Sequence, residues 1–186
     1  MHEDLGQVPP GLPVPDDDGA AAGLLGMSVP SLRLASTRGG DLDLAEAARE
    51  RVVVYIYPRT GRPDEPPPDG WDAIPGARGC TPQSCAFRDH LADLTGLGAS
   101  VIGLSAQSTI DQREFAEREH IPYPLLSDPT LRLAQALGLP TFTAAGMRLY
   151  RRLTFVASRG RIEKVFYPVV SPDRNAHDVL EWLARA

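Results

Sequence analysis

The chain has 186 residues, 42% hydrophobic and 23% charged, and 19 basic against 24 acidic side chains leave a net charge of -5. That length supports one domain with a sizeable core and an appendage, folded without disulfide staples. The charge balance offers no electrostatic footprint for nucleic acid or an anionic membrane, and no apolar run reaches the roughly 18 residues that span a bilayer. The start, Met1-His2-Glu3-Asp4, lacks the basic and then apolar layout of a signal peptide, so a cytoplasmic chain with small-molecule or protein partners is expected.

Residues 1–30 combine Pro9, Pro10, Pro13 and Pro15 with Asp16 to Asp18 and show no sustained period, which predicts a flexible arm ahead of a domain over 31–186. Leu32-Arg33-Leu34 and Leu42-Asp43-Leu44 flank Ser36-Thr37-Arg38-Gly39-Gly40 and predict a hairpin. Asp43 and Glu46 have capping-box spacing for one brief helix. Arg51 to Tyr57 is β-branched and aromatic on both faces, as a central strand covered by helices should be, and Pro58 ends it. Residues 59–75 hold Pro63, Pro66, Pro67, Pro68 and Gly70, which forbid regular structure, and Trp71 and Ile74, which can pin the segment down.

Beyond this insertion strand and helix alternate. The pattern predicts a helix from Pro82 to Leu97, a strand over Ser100 to Ser105 and a helix from Thr109 to Glu119 capped by Ser108. Asp128-Pro129 supplies a cap and a first-turn proline for a helix through Leu137, which Gly138 terminates. Leu153 to Ala157 and Arg161 to Tyr167 form a second hairpin, and Pro172 to Arg185 closes with Ala176, Val179, Leu180 and Leu183 on one face. This order is that of a thioredoxin-like α/β fold: a central mixed sheet flanked by helices, preceded by a β-hairpin.

Cys80 and Cys85 are the only cysteines. Five residues of helix rise about 7.5 Å, too far for the Cα atoms of a disulfide, so the pair bonds only if that turn unwinds. A permanent bridge has no reason to cross such a turn, whereas a dithiol alternating between helix and disulfide uses the melting as its switch. Thr81-Pro82 predicts a helix start with Thr81 as cap. Cys80 then lies where free N–H groups and the macrodipole favour a thiolate, which makes it the candidate reactive residue, with Cys85 less activated.

The run Gly79-Cys80-Thr81-Pro82-Gln83-Ser84-Cys85-Ala86-Phe87-Arg88-Asp89 resembles the active-site segment of peroxiredoxins, in particular the Q-type branch similar to bacterioferritin comigratory protein. Val101 to Ser105, Glu114-Phe115-Ala116, Pro124 to Pro129 and Arg152 to Val156 resemble the family's following segments in order, so the likeness covers roughly residues 30 to 186. It implies that Cys80 is the peroxidatic cysteine, oxidised by a hydroperoxide to a sulfenic acid, and that Cys85 resolves it as an intrasubunit disulfide reset by a thioredoxin-like donor. It further implies that Arg152 assists at the sulfur, with Arg151 as the neighbour that strand alternation turns away. The family carries a threonine or serine three residues before this cysteine and a proline seven before. Here Ala77 and Ala73 stand there, so the peroxide-binding hydroxyl is missing unless the loop folds back and Thr60 or Thr81 supplies it.

Two other readings accompany this one. A thioredoxin-type thiol–disulfide oxidoreductase favours Cys-x-x-Cys, a shorter spacing than the one present. A nonenzymatic redox sensor or binding module fits the alanine at 77 and a partner-binding role for the Pro-rich loop with Trp71. Cys80, Cys85 and His90 lack the close ligand pairs of a zinc site, and His2, His120 and His177 read as plain polar residues. No metal or organic cofactor is expected. Pro140 reads as an ordinary post-helix proline. A disulfide closable within one chain favours a monomer or weak homodimer.

Overall fold

The computed structural model describes residues 9–186, so the first eight residues of the expected arm lie outside the described part. The first hairpin pairs β1 (Arg33–Ser36) with β2 (Asp41–Asp43). Asp43 then caps the four-residue α1 (Leu44–Ala47), its carboxylate accepting the Glu46 N–H at 3.1 Å. Next come β3 (Arg51–Ile56), α2 (Cys80–Asp89), α3 (Leu91–Gly96), β4 (Ala99–Ser105), α4 (Thr109–Arg118), β5 (Leu125–Ser127) and α5 (Arg132–Leu137). The chain finishes with β6 (Thr141–Ala144), β7 (Met147–Tyr150), β8 (Leu153–Ser158), β9 (Arg161–Phe166) and α6 (Asn175–Leu183).

Seven strands form one mixed sheet in the order β2-β1-β5-β4-β3-β8-β9, with β3, β4 and β5 parallel and the remaining pairs antiparallel. Strand alternation divides the core. Val53, Tyr55 and Tyr57 of the central chain face a layer holding Phe87, Leu94, Phe115 and Val179 from α2, α3, α4 and α6. Val52, Val54 and Ile56 face the other layer, which holds Leu44, Leu133 and Leu137 from α1 and α5. Each large apolar side chain buried this way contributes roughly 1.5–3 kcal/mol. Gly103 of β4 has a local reason: a Cβ there meets Leu125 at 2.5 Å and the Tyr55 ring at 2.7 Å, so glycine leaves the space into which Tyr55 reaches.

Several elements differ from the sequence expectation. The helix over 82–97 is two helices, because His90, with φ -97° and ψ 8°, interrupts it. The interruption lets α2 pack on α6 while α3 drops Leu94 onto β4. Gly79 rather than Thr81 is the N-cap of α2: its φ of +99° suits a residue without Cβ, and Thr81 and Pro82 lie inside the first turn. Pro129 precedes α5 instead of opening it. Asp128 still supplies acceptors, to the N–H groups of Arg132 (3.0 Å) and Leu133 (2.9 Å), across a turn in which Leu131 has φ +57°. The stretch between Pro124 and Pro129 contains β5, and β6 and β7 form a separate hairpin.

The last part of the Pro- and Gly-rich N-terminal stretch packs on the domain rather than standing away from it. Ala21, Leu24 and Val29 are buried in the second layer, and the Val29 N–H donates to the Gly160 carbonyl at 2.9 Å. Earlier in the same stretch, Asp18 accepts the Tyr167 hydroxyl at 2.8 Å. The insertion is pinned as well. Trp71 is buried with Ala77, Ala144 and Leu149, its ring 6.1 Å from that of Phe142, so the β6–β7 hairpin holds the insertion beside α2.

Candidate functional site

The site forms where β3 ends. Ile56 pairs with Leu153, so Arg152 emerges one residue before β8 beside Tyr57. Arg152, Thr154 and Val156 point to the α2–α6 face, while Leu153, Phe155 and Ala157 enter the opposite layer. Arg151 turns away, its guanidinium 5.9 Å from the Phe142 ring, whereas Arg152 lies against Cys80.

Cys80 is the first residue of α2, only 4% exposed, and unpaired, as is Cys85. It lines a cavity of about 70 Å³. Thr60, Ala77 and Thr81 share that lining with Pro66, Pro67 and Trp71 of the insertion. The Cys80 thiol faces the Ala77 carbonyl at 3.6 Å, and Arg152 Nη2 donates to Cys80 Sγ at 3.1 Å. A guanidinium in that position stabilises negative charge on sulfur or on an oxygen bound to it.

Arg152 is itself 4% exposed and held from several sides. It donates to the carbonyls of Gly76, Ala77 and Arg78, the last at 2.9 Å, and to Oε1 of Gln83. Gln83 Nε2 donates to Asn175 Oδ1 at 2.9 Å, and the Thr154 hydroxyl donates to the same oxygen at 2.6 Å. Because Asn175 presents an acceptor, the Gln83 amide must turn its NH₂ toward Asn175 and its oxygen toward Arg152. A fully buried relay from α6 therefore fixes the guanidinium next to the sulfur.

The insertion does fold back. Thr60 is 4% exposed and clamped by Gln107, whose Oε1 accepts the Thr60 N–H at 2.8 Å and hydroxyl at 3.1 Å. The side chain of Ala77, buried at 1% exposure, is only a methyl group, so this residue meets the site through its backbone carbonyl.

Cys85 lies one and a half turns along α2, half-buried, its thiol 3.7 Å from Oε2 of Glu119. Burial pushes this thiol up from its ordinary value; Arg88 opposes the shift, and the charges of Glu119 and Asp89 add to it. Between the cysteines the helix is tied down by tyrosines. The Tyr123 hydroxyl donates to the Ser84 carbonyl at 2.7 Å, the Tyr55 hydroxyl donates to Ser84 Oγ at 3.0 Å, and Ser84 Oγ donates to the Cys80 carbonyl at 3.0 Å. Burial raises both tyrosines' pKa values, so they remain neutral donors.

Gln83, Asn175, Thr154 and Glu119 were not singled out from the sequence. Gln83 stands three residues after Cys80, on the same helical face, a spacing that could have marked it. Asn175 and Glu119 had no local signal. His90 pairs with Asp93 at 3.6 Å, and its ring lies 6.4 Å from that of His177. Among the described residues no three His, Cys, Asp or Glu side chains gather as a metal site, and no helix is long and apolar enough to cross a membrane.

The redoxin family model matches residues 24–180. A chloroplastic peroxiredoxin Q of Gentiana triflora is 30% identical over 158 residues, which cover 84% of this chain and 65% of that protein. A chloroplastic peroxiredoxin Q of Sedum lineare is 30% identical over 159 residues, covering 85% of this chain and 76% of that protein. Among solved structures, peroxidoxin BcpB from Mycobacterium tuberculosis aligns with a TM-score of 0.71 at 27% identity, covering 87% of this chain and 97% of that one. Fold, dithiol segment and relatives agree: the chain belongs to the redoxin family and, within it, to the Q-type peroxiredoxins.

Proposed function

We propose that the protein is a thiol-dependent peroxidase that reduces hydroperoxides at Cys80. The observation that carries this reading is the Arg152 guanidinium, 3.1 Å from the Cys80 sulfur, which lines a cavity of about 70 Å³. The Cys80 thiolate attacks the distal oxygen of ROOH; the O–O bond breaks, sulfur is oxidised to sulfenic acid, and the leaving alkoxide takes up a proton to depart as ROH. Arg152 and the N–H groups at the start of α2 stabilise the charge that moves onto oxygen. Thr81, on the same lining, supplies a hydroxyl in place of the one that Ala77 lacks, while Thr60, its proton given to Gln107, offers the peroxide only an acceptor.

Cys85 then attacks the oxidised sulfur, water leaves, and the first turn of α2 unwinds to let the disulfide close. A thioredoxin-type dithiol restores both thiols, which places the reaction in a reducing compartment such as the cytoplasm. One chain contains both sulfurs, so a monomer suffices.

A steady-state assay with hydrogen peroxide and cumene hydroperoxide, coupled to thioredoxin and its reductase, tests the cycle. Sustained turnover proportional to protein is expected. Stoichiometric oxidation without turnover selects the sensor reading that the alanine at position 77 favours, and thiols indifferent to peroxide remove both readings.

The Asn175 relay gives a separate expectation. Asn175→Leu, similar in volume, removes the shared acceptor and frees the Gln83 amide to rotate, so oxidation of Cys80 slows on the order of tenfold. Asn175→Asp keeps an acceptor and stays near wild type. Rapid-mixing rates with peroxide, measured beside thermal stability, check this; equal slowing in both variants assigns Asn175 a purely structural role.

A further inference from the structure

Resting on the peroxidase reading above, we propose that Glu119 is a brake on the second chemical step: it holds Cys85 as a helix-bound thiol and so sets how long oxidised Cys80 waits to be resolved. Resolution joins the two sulfurs. The S–O bond of the Cys80 sulfenic acid breaks, the electron pair of the new S–S bond comes from Cys85, and the Cys85 proton leaves with the hydroxyl as water. The step therefore needs Cys85 both deprotonated and released from α2.

Glu119 opposes both requirements. Its Oε2 accepts the Cys85 thiol at 3.7 Å, a contact that exists only while the sulfur is protonated. Its carboxylate is anchored rather than swinging free. Arg118 pairs with it and also donates to Glu114 (2.8 Å) and to the Gly61 carbonyl (2.9 Å), while Arg88 donates to the Glu119 backbone carbonyl. The end of α4, the C-terminal half of α2 and the first residues of the insertion are thus strapped together at Cys85. The other groups facing this thiol are Arg88 and Asp89 on its own helix and Tyr123 beyond α4. Arg88 alone among them favours the anion. Burial and the acidic charges outweigh it, and the thiol titrates above its ordinary value.

Glu119→Gln removes the charge and keeps nearly the same shape. Each unit by which a thiol's pKa falls gives about tenfold more thiolate and returns about threefold in nucleophilicity, a net gain of about threefold per unit. Single-turnover oxidation with one equivalent of hydrogen peroxide, quenched at intervals into a sulfenic-acid trap and read by mass spectrometry, measures the decay. In Glu119→Gln the decay near neutral pH should be about threefold to tenfold faster, with its rate–pH curve moved to lower pH. Glu119→Asp should behave as wild type. In a Cys85→Ser background Glu119→Gln should change nothing. Decay that is unchanged, slower, or faster with an unmoved pH curve overturns the brake alone. A wild-type Cys80 that peroxide never oxidises overturns the peroxidase reading and the brake with it.

Discussion

Cys80→Ser should leave no hydroperoxide reduction above the uncatalysed background, whereas Cys85→Ser should keep the first oxidation and lose turnover. The contrast follows from where the sulfurs sit. Cys80 alone combines the first position of a helix, a cavity of about 70 Å³ and a guanidinium donor at 3.1 Å. A serine hydroxyl there nearly keeps the shape but is too weak a nucleophile to break the O–O bond, and its oxygen cannot be oxidised by a hydroperoxide as sulfur is. Cys85 lies outside that cavity and keeps its proton, since burial raises its pKa. The Cys85→Ser protein should consume one equivalent of peroxide at close to the wild-type rate and accumulate sulfenic acid, which excess peroxide carries to the sulfinic level. Peroxide consumption with mass spectrometry of the quenched protein decides the matter. Turnover in Cys80→Ser reverses the roles, and wild-type turnover in Cys85→Ser removes Cys85 from the cycle.

The division between what sequence shows and what it hides follows contact distance. The β3 run, the Asp43 and Ser108 caps and the β8–β9 hairpin rest on residues a few positions apart, and each forms as expected. β5 has only three residues, too few to display a period, and its pairing with β4 and β1 is a tertiary decision. The Pro-rich insertion is irregular up to Gly70 and then makes a 3-10 turn over Trp71–Ala73 that the prolines and glycine did not announce, and the burial of Trp71 depends on the hairpin that carries Phe142 and Leu149. Leu24 and Val29 sit in a stretch whose composition resembles a linker; the backbone bonds that hold it down, from Gly26 to Ile162 and from Val29 to Gly160, reach more than a hundred residues along the chain.

The site divides in the same way. Cys80 and Cys85 announce themselves by spacing, and strand alternation separates Arg152 from Arg151. Gln83 and Asn175 stand 92 residues apart, and nothing local joins them. The acceptor for Cys85 stands 34 residues away at the end of a different helix. The cysteine pair and the arginine beside Cys80 were thus legible and the groups that orient and restrain them were not, because restraint is exercised across the fold.

Arg152 is where both kinds of contact meet, and its replacement carries the second large expected effect. Arg152→Met should slow oxidation of Cys80 by about 10²–10³-fold, the usual consequence of losing a preorganised donor to charge developing on oxygen. The loss is compound. The same guanidinium satisfies the carbonyls of Gly76, Ala77 and Arg78, which shape the approach to Gly79, and it terminates the Gln83–Asn175 relay. Each buried acceptor left empty costs about 1–3 kcal/mol, so the variant should also melt at lower temperature. Arg152→Lys separates charge from geometry. An ammonium keeps the positive charge, but its compact donors cannot reach three carbonyls, an amide oxygen and the sulfur together, so it should recover stability only in part and little of the rate. If the lysine variant instead reacts within about threefold of wild type, charge alone suffices and the fork is dispensable. If the methionine variant reacts that fast, Arg152 serves the loop rather than the chemistry, and the charge that moves onto oxygen must be met by the backbone N–H groups at the start of α2.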